Sequence, residues 1–411
     1  MRFFVGTAAV IVCASFFPQP ALPQQLTQHK ASHKIVVNGD IRNYYFTRSY
    51  KEGTDQAAFS VGGRLHAETS ARRGLGFGAT YMGANPLAQN GPNPLLIDNT
   101  LPGYTISTLG EAYLSYQGER SQVKYGRQVI RTPWANPSDT RMVPVSFEGL
   151  SASMQTTTGW SFSLDRMYKF KNRVKSTFDR NTLVTTVPTS GFLAAGTVYK
   201  KGPLSAQAWY YRFYDIAQLG YADALLRANT KKRFKPVAAA QIMSEGGIGG
   251  NLLKNVRAHA AGGSLGVASD DVEATVSYDN VPGDASAYKG GLIVSPYTSG
   301  YQTDPLFTDT QSASLVEKGQ GHAYKVAATF WTSGHRFRFI ADRARYFLAP
   351  AKGVPNNDLL KTDFDLTYFL GARPGDAAFR GLAIRDKLGI FDTPAAPLTQ
   401  QFNQAMLEYD F

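Results

Sequence analysis

The chain has 411 residues, with 43 basic against 31 acidic side chains, a formal net charge of +12 and a single cysteine. That length suits two or three ordinary domains or one large β architecture. A basic total fits nucleic acid, an anionic membrane surface or anionic solutes, but no lysine-rich block or nucleic-acid module accompanies it, which argues against nucleic acid as a partner.

Residues 1–23 read as a secretory signal peptide: Arg2, an apolar run over 5–17, then Pro-Gln-Pro-Ala. The run is too short to cross a bilayer as a helix. Cys13 falls inside it, so the expected mature chain has no cysteine and no disulfide. Loss of the signal removes Arg2 and no acid, leaving 42 basic against 31 acidic side chains, or +11. Residues 24–33 form a polar spacer. No later stretch approaches about 18 consecutive apolar residues, which rules out membrane-spanning helices but not membrane-spanning strands.

From about residue 34 to the end, polar and apolar side chains alternate. Over 57–68, Ala57, Phe59, Val61, Gly63, Leu65 and Ala67 share one face, and Ala58, Ser60, Gly62, Arg64, His66 and Glu68 the other. Successive side chains of a strand point to opposite faces, so such a segment has one apolar and one polar side. The same reading predicts strands over 34–47, 57–69, 75–84, 105–117, 121–131, 146–156, 160–170, 192–200 and 204–214. It continues with 218–228, 234–243, 258–268, 272–280, 322–332, 335–347, 360–370, 380–388 and 402–411. Connections alternate between short, such as 118–120 and 201–203, and long, such as 85–104, 132–145, 171–191 and 281–321. An even number of strands joined in this way predicts an all-β fold, a closed 18-stranded antiparallel transmembrane β-barrel over 34–411. A soluble sandwich or propeller is the competing architecture. Aromatics recurring at strand ends favour the barrel, as two interfacial girdles: Tyr44, Tyr45, Tyr81, Tyr113, Tyr116, Trp160, Phe162, Trp209, Tyr210, Tyr211, Phe330, Trp331, Tyr346 and Phe347.

One stretch breaks the pattern. Between two strands, 123–149 holds Pro133, Pro137 and Pro144, which fix φ and remove backbone donors, together with Trp134, Asp139, Arg131 and Arg141. Such a loop is either a rigid ornament or aimed at a ligand. At the far end, Ala405, Leu407, Tyr409 and Phe411 share one face. This strand resembles the terminal sorting strand of bacterial outer-membrane proteins, which makes Tyr409 and Phe411 the expected signal to the barrel-assembly machinery.

Eighteen strands enclose more space than their side chains fill, so an aqueous lumen is expected. Three tracts carry a family resemblance: Phe-Ser-Val-Gly-Gly-Arg-Leu at 59–65, Asn-Pro-Ser-Asp-Thr-Arg-Met-Val-Pro-Val-Ser-Phe-Glu-Gly at 136–149, and Leu-Glu-Tyr-Asp-Phe at 407–411. They are similar to the OprD-like family of substrate-specific outer-membrane porins. The resemblance implies a narrow pore with the third loop and a later long loop folded inward, a row of basic side chains along the lumen, and uptake of small carboxylates. It makes 132–146 the third extracellular loop and places Trp134, Ser138, Asp139 and Arg141 at the pore constriction.

Strand phase supplies candidates for the basic row: Arg42, Arg64, Arg336, Arg338, Arg385 and Lys387. Each is either a solute contact or a bridge to a lumenal acid such as Glu68, Glu111, Asp363 or Asp365. Arg127 and Arg131 fall in phase with Val123 and Tyr125 on the lipid side, so either they snorkel at the rim or a bulge after Gly126 reverses the phase. The expected partners are small anionic or amino-acid-like solutes, outer-membrane lipid and the assembly machinery, with the protein a monomer or homotrimer. A non-specific porin and a barrel enzyme of the lipase or protease type are the alternatives. Against the enzyme, His66, His259, His322 and His335 come with no nucleophile motif. Neither a metal-ligand spacing nor a cofactor motif is present, so no cofactor is expected.

Overall fold

Period-two alternation closes into a ring. In a computed structural model of the chain, the described residues are 35–69, 73–89, 93–101, 103–332, 334–349, 358–371, 380–393 and 396–411. The expected signal peptide and spacer lie outside them. The first six strands are β1 (Ile35–Tyr50), β2 (Gln56–Thr69), β3 (Leu75–Gln89), β4 (Ile106–Gln117), β5 (Ser121–Gln128) and β6 (Ser146–Gln155). Next come β7 (Trp160–Lys171), β8 (Phe192–Lys201), β9 (Leu204–Phe213), β10 (Ala217–Arg227), β11 (Lys235–Gly247) and β12 (Arg257–Ala268). The set ends with β13 (Val272–Val281), β14 (Gly321–Trp331), β15 (Phe337–Leu348), β16 (Leu359–Phe369), β17 (Leu382–Thr393) and β18 (Ala396–Asp410). Every strand pairs antiparallel with the next, and β1 pairs with β18 from Asp40↔Asp410 to Tyr50↔Gln400. The sheet thus has no free edge, as a backbone surrounded by lipid requires.

Number and order of strands match the expectation from sequence; the differences lie at their ends. β17 runs on to Thr393 and β18 begins at Ala396, where alternation predicts 380–388 and 402–411. Turns at one rim are tight, and Gly202, at a left-handed φ of 58°, turns the β8–β9 hairpin in two residues.

The wall is apolar outside and polar inside. On β13, Thr275, Ser277 and Asp279 are buried within the barrel, whereas Val276 between them is 55% exposed. One expectation is corrected here. Tyr45, Tyr81, Tyr116, Trp160, Phe162, Tyr210 and Phe330 are outward and exposed, but Tyr44, Tyr113, Trp209, Tyr211 and Tyr346 are buried within the barrel. Those five belong to the lumen and not to a girdle.

Inward aromatics give the long-loop half of the lumen a hydrophobic floor. Tyr297, from loop 282–320, sits among Phe147, Phe170, Phe192 and Phe213 of β6 to β9, with ring centroids 4.9–5.9 Å away. Such burial is worth about 1.5–3 kcal/mol per large side chain. Loop 129–145 contributes Trp134, Met142, Val143 and Val145 to the same cluster, and loop 282–320 adds Ile293, Val294, Leu306 and Leu315. Both loops therefore fold into the barrel.

Candidate functional site in the barrel lumen

Loop 129–145 is rooted at both ends. The backbone N–H of Val129 donates to Glu111 Oε1 on β4 at 2.9 Å, and Lys171 Nζ, at the end of β7, donates to the Pro144 carbonyl at 2.9 Å. Between these roots, Trp134 is fully buried: its N–H donates to Tyr211 Oη at 3.2 Å and its ring meets Tyr221 edge-on. Ser138 takes a left-handed φ of 44°, with its N–H on Asn136 Oδ1 in an Asx-type turn. Its hydroxyl lies 2.7 Å from Thr303 Oγ1 of loop 282–320, and Asn136 Nδ2 donates to the Thr303 carbonyl. Trp134 and Ser138, expected at the constriction, are thus sealed inside the plug and present almost no surface to the lumen. They shape the inward-folded loop without lining the lumen.

The tip of that loop is held by charge. Asp139 accepts from Arg42 Nη1 of β1 at 2.6 Å and from Arg64 Nη1 of β2 at 2.8 Å. Arg42 also meets Asp40 at 2.9 Å and Glu408 of β18 at 2.7 Å, and Arg64 pairs with Asp40. Burial alone would raise the Asp139 carboxyl; the two guanidiniums outweigh it and hold the group well below the usual carboxylate range. Two members of the expected basic row are therefore committed to pinning the loop.

Arg141 does not pair with Asp139. Its Nε donates to Thr100 Oγ1 at 2.9 Å, and Thr100 in turn donates to Asp98. Its Nη1 reaches the Thr140 carbonyl and Tyr44 Oη, and its guanidinium lies 5.0 Å from the Phe46 ring centroid. Beyond Thr140, the buried Arg173 of loop 172–191 donates to Thr140 Oγ1 and stacks 3.9 Å from the Tyr301 ring. Burial, then the neighbouring Arg141, lowers Arg173 to about 9.

Below Arg141 the cations continue down the wall. Lys387 lies in the field of Arg385, Asp365, Arg141 and Arg338. Arg385 is paired in fork geometry with Asp365, and Arg338 donates to Thr367 Oγ1 at 3.0 Å. Arg338, Thr367 and Arg385 share one rung across β15, β16 and β17. Among the described residues, no carboxylate lies within ion-pair distance of Arg141 or Lys387.

Lumenal acids elsewhere hold loop 282–320. Asp279 accepts from the N–H and hydroxyl of Thr308, Glu245 from the N–H of Val294, and Asp363 from the N–H of Gln311. Lys361 and Asp363 pair at 2.6 Å with neither exposed. These carboxylates hold the plug; beside the cation run, Asp365 pairs with Arg385, and Asp363 and Glu408 lie in the fields of Lys387 and Arg385.

The family model described as "outer membrane porin, OprD family" matches residues 103–322, more than half of the chain. The chain belongs to the OprD family. Among similar solved structures is OccK9 (OpdG) of Pseudomonas aeruginosa, at 16% identity and a TM-score of 0.80, covering 92% of this chain and 98% of that one. Pseudomonas aeruginosa OpdK with vanillate is 15% identical, with a TM-score of 0.75 and coverage of 92% and 98%. Pseudomonas aeruginosa OccK2 (OpdF) in complex with glucuronate is 14% identical, with a TM-score of 0.76 and coverage of 92% and 96%. No curated protein sequence matches the chain.

Other expected positions fall as follows in this OprD-family barrel. Arg336 lies in the short turn before β15, outside the strand row. Tyr409 and Phe411 face outward, 38% and 51% exposed, and Phe411 exchanges backbone hydrogen bonds with Gly39 across the β1–β18 seam. Arg127 stays on the outer face at the rim, paired with Glu148 at 3.2 Å and stacked on Phe178, because β5 keeps its register through Gln128. Arg131 lies past the end of that strand and lines a lumenal cavity of about 40 Å³ with Lys124, Asp165 and Trp209. Tyr44, Thr100, Lys171 and Arg173 escape the sequence reading. Of these, only Tyr44 carried a signal, since it alternates in phase with Arg42.

Proposed function

We propose that this OprD-family porin passes small, carboxylate-bearing anions by passive diffusion along the run Arg141, Lys387, Arg385 and Arg338. The observation that carries the reading is the run itself: Lys387 lies in the field of Arg141, Arg385 and Arg338, and neither Arg141 nor Lys387 has a carboxylate within ion-pair distance among the described residues, while Arg385 is paired with Asp365. Field at the narrowest point, more than net charge, decides selectivity. A cation about 5 Å from a carboxylate, at an effective dielectric constant near 20, attracts it by roughly 3 kcal/mol. That offsets part of the dehydration cost without trapping the ion, and several such positions in series let a solute be handed on. Vanillate and glucuronate, named with the similar OpdK and OccK2 structures, are both carboxylates, which supports the same class here. Arginine grips a planar carboxylate in a fork but chloride only as a point charge, so organic acids should be preferred over chloride.

Reversal potentials in a salt gradient and liposome uptake of a uronate against an uncharged sugar of equal size test the reading. Anion selectivity with several-fold faster uronate uptake is expected. Cation selectivity, or equal rates for the two solutes, would refute it and leave the non-specific porin.

A further inference from the structure

Charge on the outer face of the barrel is unevenly placed. Arg127, Arg166, Lys169, Arg212, Arg343 and Arg345 all point outward, and each falls within the last six residues of its strand, next to the long loops. Long loops of an outer-membrane barrel lie outside, so this half of the wall meets the outer leaflet. Glu148 pairs with Arg127 and Lys169 at 3.2 and 2.8 Å, and Arg166 donates to the Met167 and Ser190 carbonyls between the Tyr168 and Tyr214 rings. Arg343 and Arg345 of β15 are different. Both are exposed, their cross-strand neighbours are Val326 and Thr362, and Tyr324 and Leu360, and no carboxylate among the described residues lies within ion-pair distance. Asp392 of β17 shares the row of Arg345 but stands two strands off, beyond Leu360, about 10 Å away.

Aromatic strand ends fix their depth. Phe337 stacks on Tyr368 and Phe347 on His322, and at about 3.3 Å per residue and a tilt near 40° the ten steps between them rise about 25 Å, the height of the lipid-facing band. Arg345 therefore lies about 5 Å and Arg343 about 10 Å below Phe347, from where a long side chain snorkels to the headgroups. The Arg345 guanidinium is 4.5 Å from the Phe347 ring centroid. Beside it, Tyr278 and Tyr324 are 38% and 50% exposed, with ring centroids 4.8 Å apart. Two guanidiniums without an acid thus adjoin a bank of exposed rings, above Val276 and Val326, which are outward and apolar. A guanidinium facing lipid without a counter-charge is unfavourable, and an anion from the lipid itself supplies one.

We propose that the outer face of β13 to β15 is a binding site for a phosphorylated glycolipid of the outer leaflet. Arg343 and Arg345 take the phosphate, for which forked guanidinium donors are suited. Tyr278, Tyr324 and His322 offer ring faces to the apolar face of the sugar and polar tips to its hydroxyls. The acyl chains run down over Val276 and Val326. The aromatic bank selects a glycolipid over a glycerophospholipid, whose headgroup would bring a phosphate but no sugar ring. The site lies on the outside of the wall, so nothing in it depends on which solute the pore passes.

The probe is lipid A, a diphosphorylated and acylated glucosamine disaccharide, titrated into the delipidated protein in detergent and followed by native mass spectrometry. Arg343→Leu with Arg345→Leu should weaken its binding about thirtyfold, at about fivefold for each cation beside an anionic headgroup. Lipid A stripped of its phosphates should bind the unmodified protein as weakly. Arg343→Lys with Arg345→Lys keeps the charge and should retain most of the affinity. Tyr324→Ala should weaken lipid A binding but leave that of phosphatidylglycerol unchanged. The leucine variant removes charge from the lipid face, so it should fold, seen as heat-modifiable gel mobility, and conduct like the parent. Equal affinity of the parent and the folded leucine variant would overturn the site. Equal binding of the dephosphorylated probe would overturn the role given to phosphate. Phosphatidylglycerol that binds as tightly as lipid A, with Tyr324→Ala affecting neither, would overturn the glycolipid and leave a general contact with anionic lipid. Displacement of lipid A by millimolar inorganic phosphate would overturn it too, in favour of the free ion.

Discussion

Replacing Asp139 by asparagine should loosen the tip of the inward-folded loop 129–145 while leaving its roots in place. Two ion pairs are lost, with Arg42 at 2.6 Å and Arg64 at 2.8 Å. At about 4 Å between charge centres and an effective dielectric constant near 20, each is worth about 4 kcal/mol of Coulomb attraction. Removing one member of a buried cluster costs about 3–5 kcal/mol when a charge is stranded. Here Asp40 and Glu408 stay beside Arg42, so the arginines are not left bare and the cost falls to about 3 kcal/mol. That is about a hundredfold in the ratio of docked to undocked tip. Single-channel recordings should show a larger mean conductance, more open-channel noise and weaker selectivity. The same logic fixes a pH dependence. Because the folded Asp139 carboxyl is held below its ordinary range, its contribution is complete above that range and drains away as pH falls beneath it. The unmodified channel in strong acid should therefore approach the variant at neutral pH. Identical conductance and noise in the two proteins at neutral pH would refute the assignment of Asp139 as the pin.

Arg141→Ala and Lys387→Met should leave assembly intact and reduce uronate uptake several-fold each, with reversal potentials shifting toward cations; unchanged potentials would remove these residues from the path. Buried Asp304, in loop 282–320, is raised to about 7 by burial, only partly offset by hydrogen bonds from Thr298 and Ser295. Its contribution is full below the ordinary carboxylate range and is lost as pH rises through about 7, so protease resistance of that loop should fall between pH 5 and about 8. Asp304→Asn should flatten the dependence.

The strands are legible because the signal is local: Val272 to Asp279 alternates without interruption, and alternation is all a barrel wall needs. Location at a strand end assigns five residues too many to the aromatic girdle, Tyr44, Tyr113, Trp209, Tyr211 and Tyr346, although phase tells them apart. Tyr44 and Tyr45, Tyr210 and Tyr211, and Tyr346 and Phe347 are consecutive pairs, and neighbours in a strand must face opposite sides. Phase, and not location at a strand end, decides which side an aromatic faces. Arg131 was ambiguous for a different reason, since phase ceases to apply once β5 ends at Gln128. What no local pattern contains is the plug. Ser138 meets Thr303 across 165 residues, and Asn136 meets the same residue across 167. Such contacts depend on where the wall carries each loop. For that reason the basic row could be enumerated from sequence but not divided into Arg42 and Arg64, which hold the loop, and Lys387, which holds nothing.

The seam between first and last strands has a bearing on the order of assembly. Asp139 binds Arg42 across 97 residues, and Arg42 binds Glu408 across 366. The anchor for the loop tip is therefore complete only after the carboxy-terminal strand has reached the amino-terminal one. Contacts so distant in sequence form late, because the chain entropy they cost must be met before they stabilise anything. An open, partly built sheet would carry this loop undocked, and narrowing would follow closure as a consequence. On this contact order, docking of the Asp139 loop tip would come after closure of the β1–β18 seam.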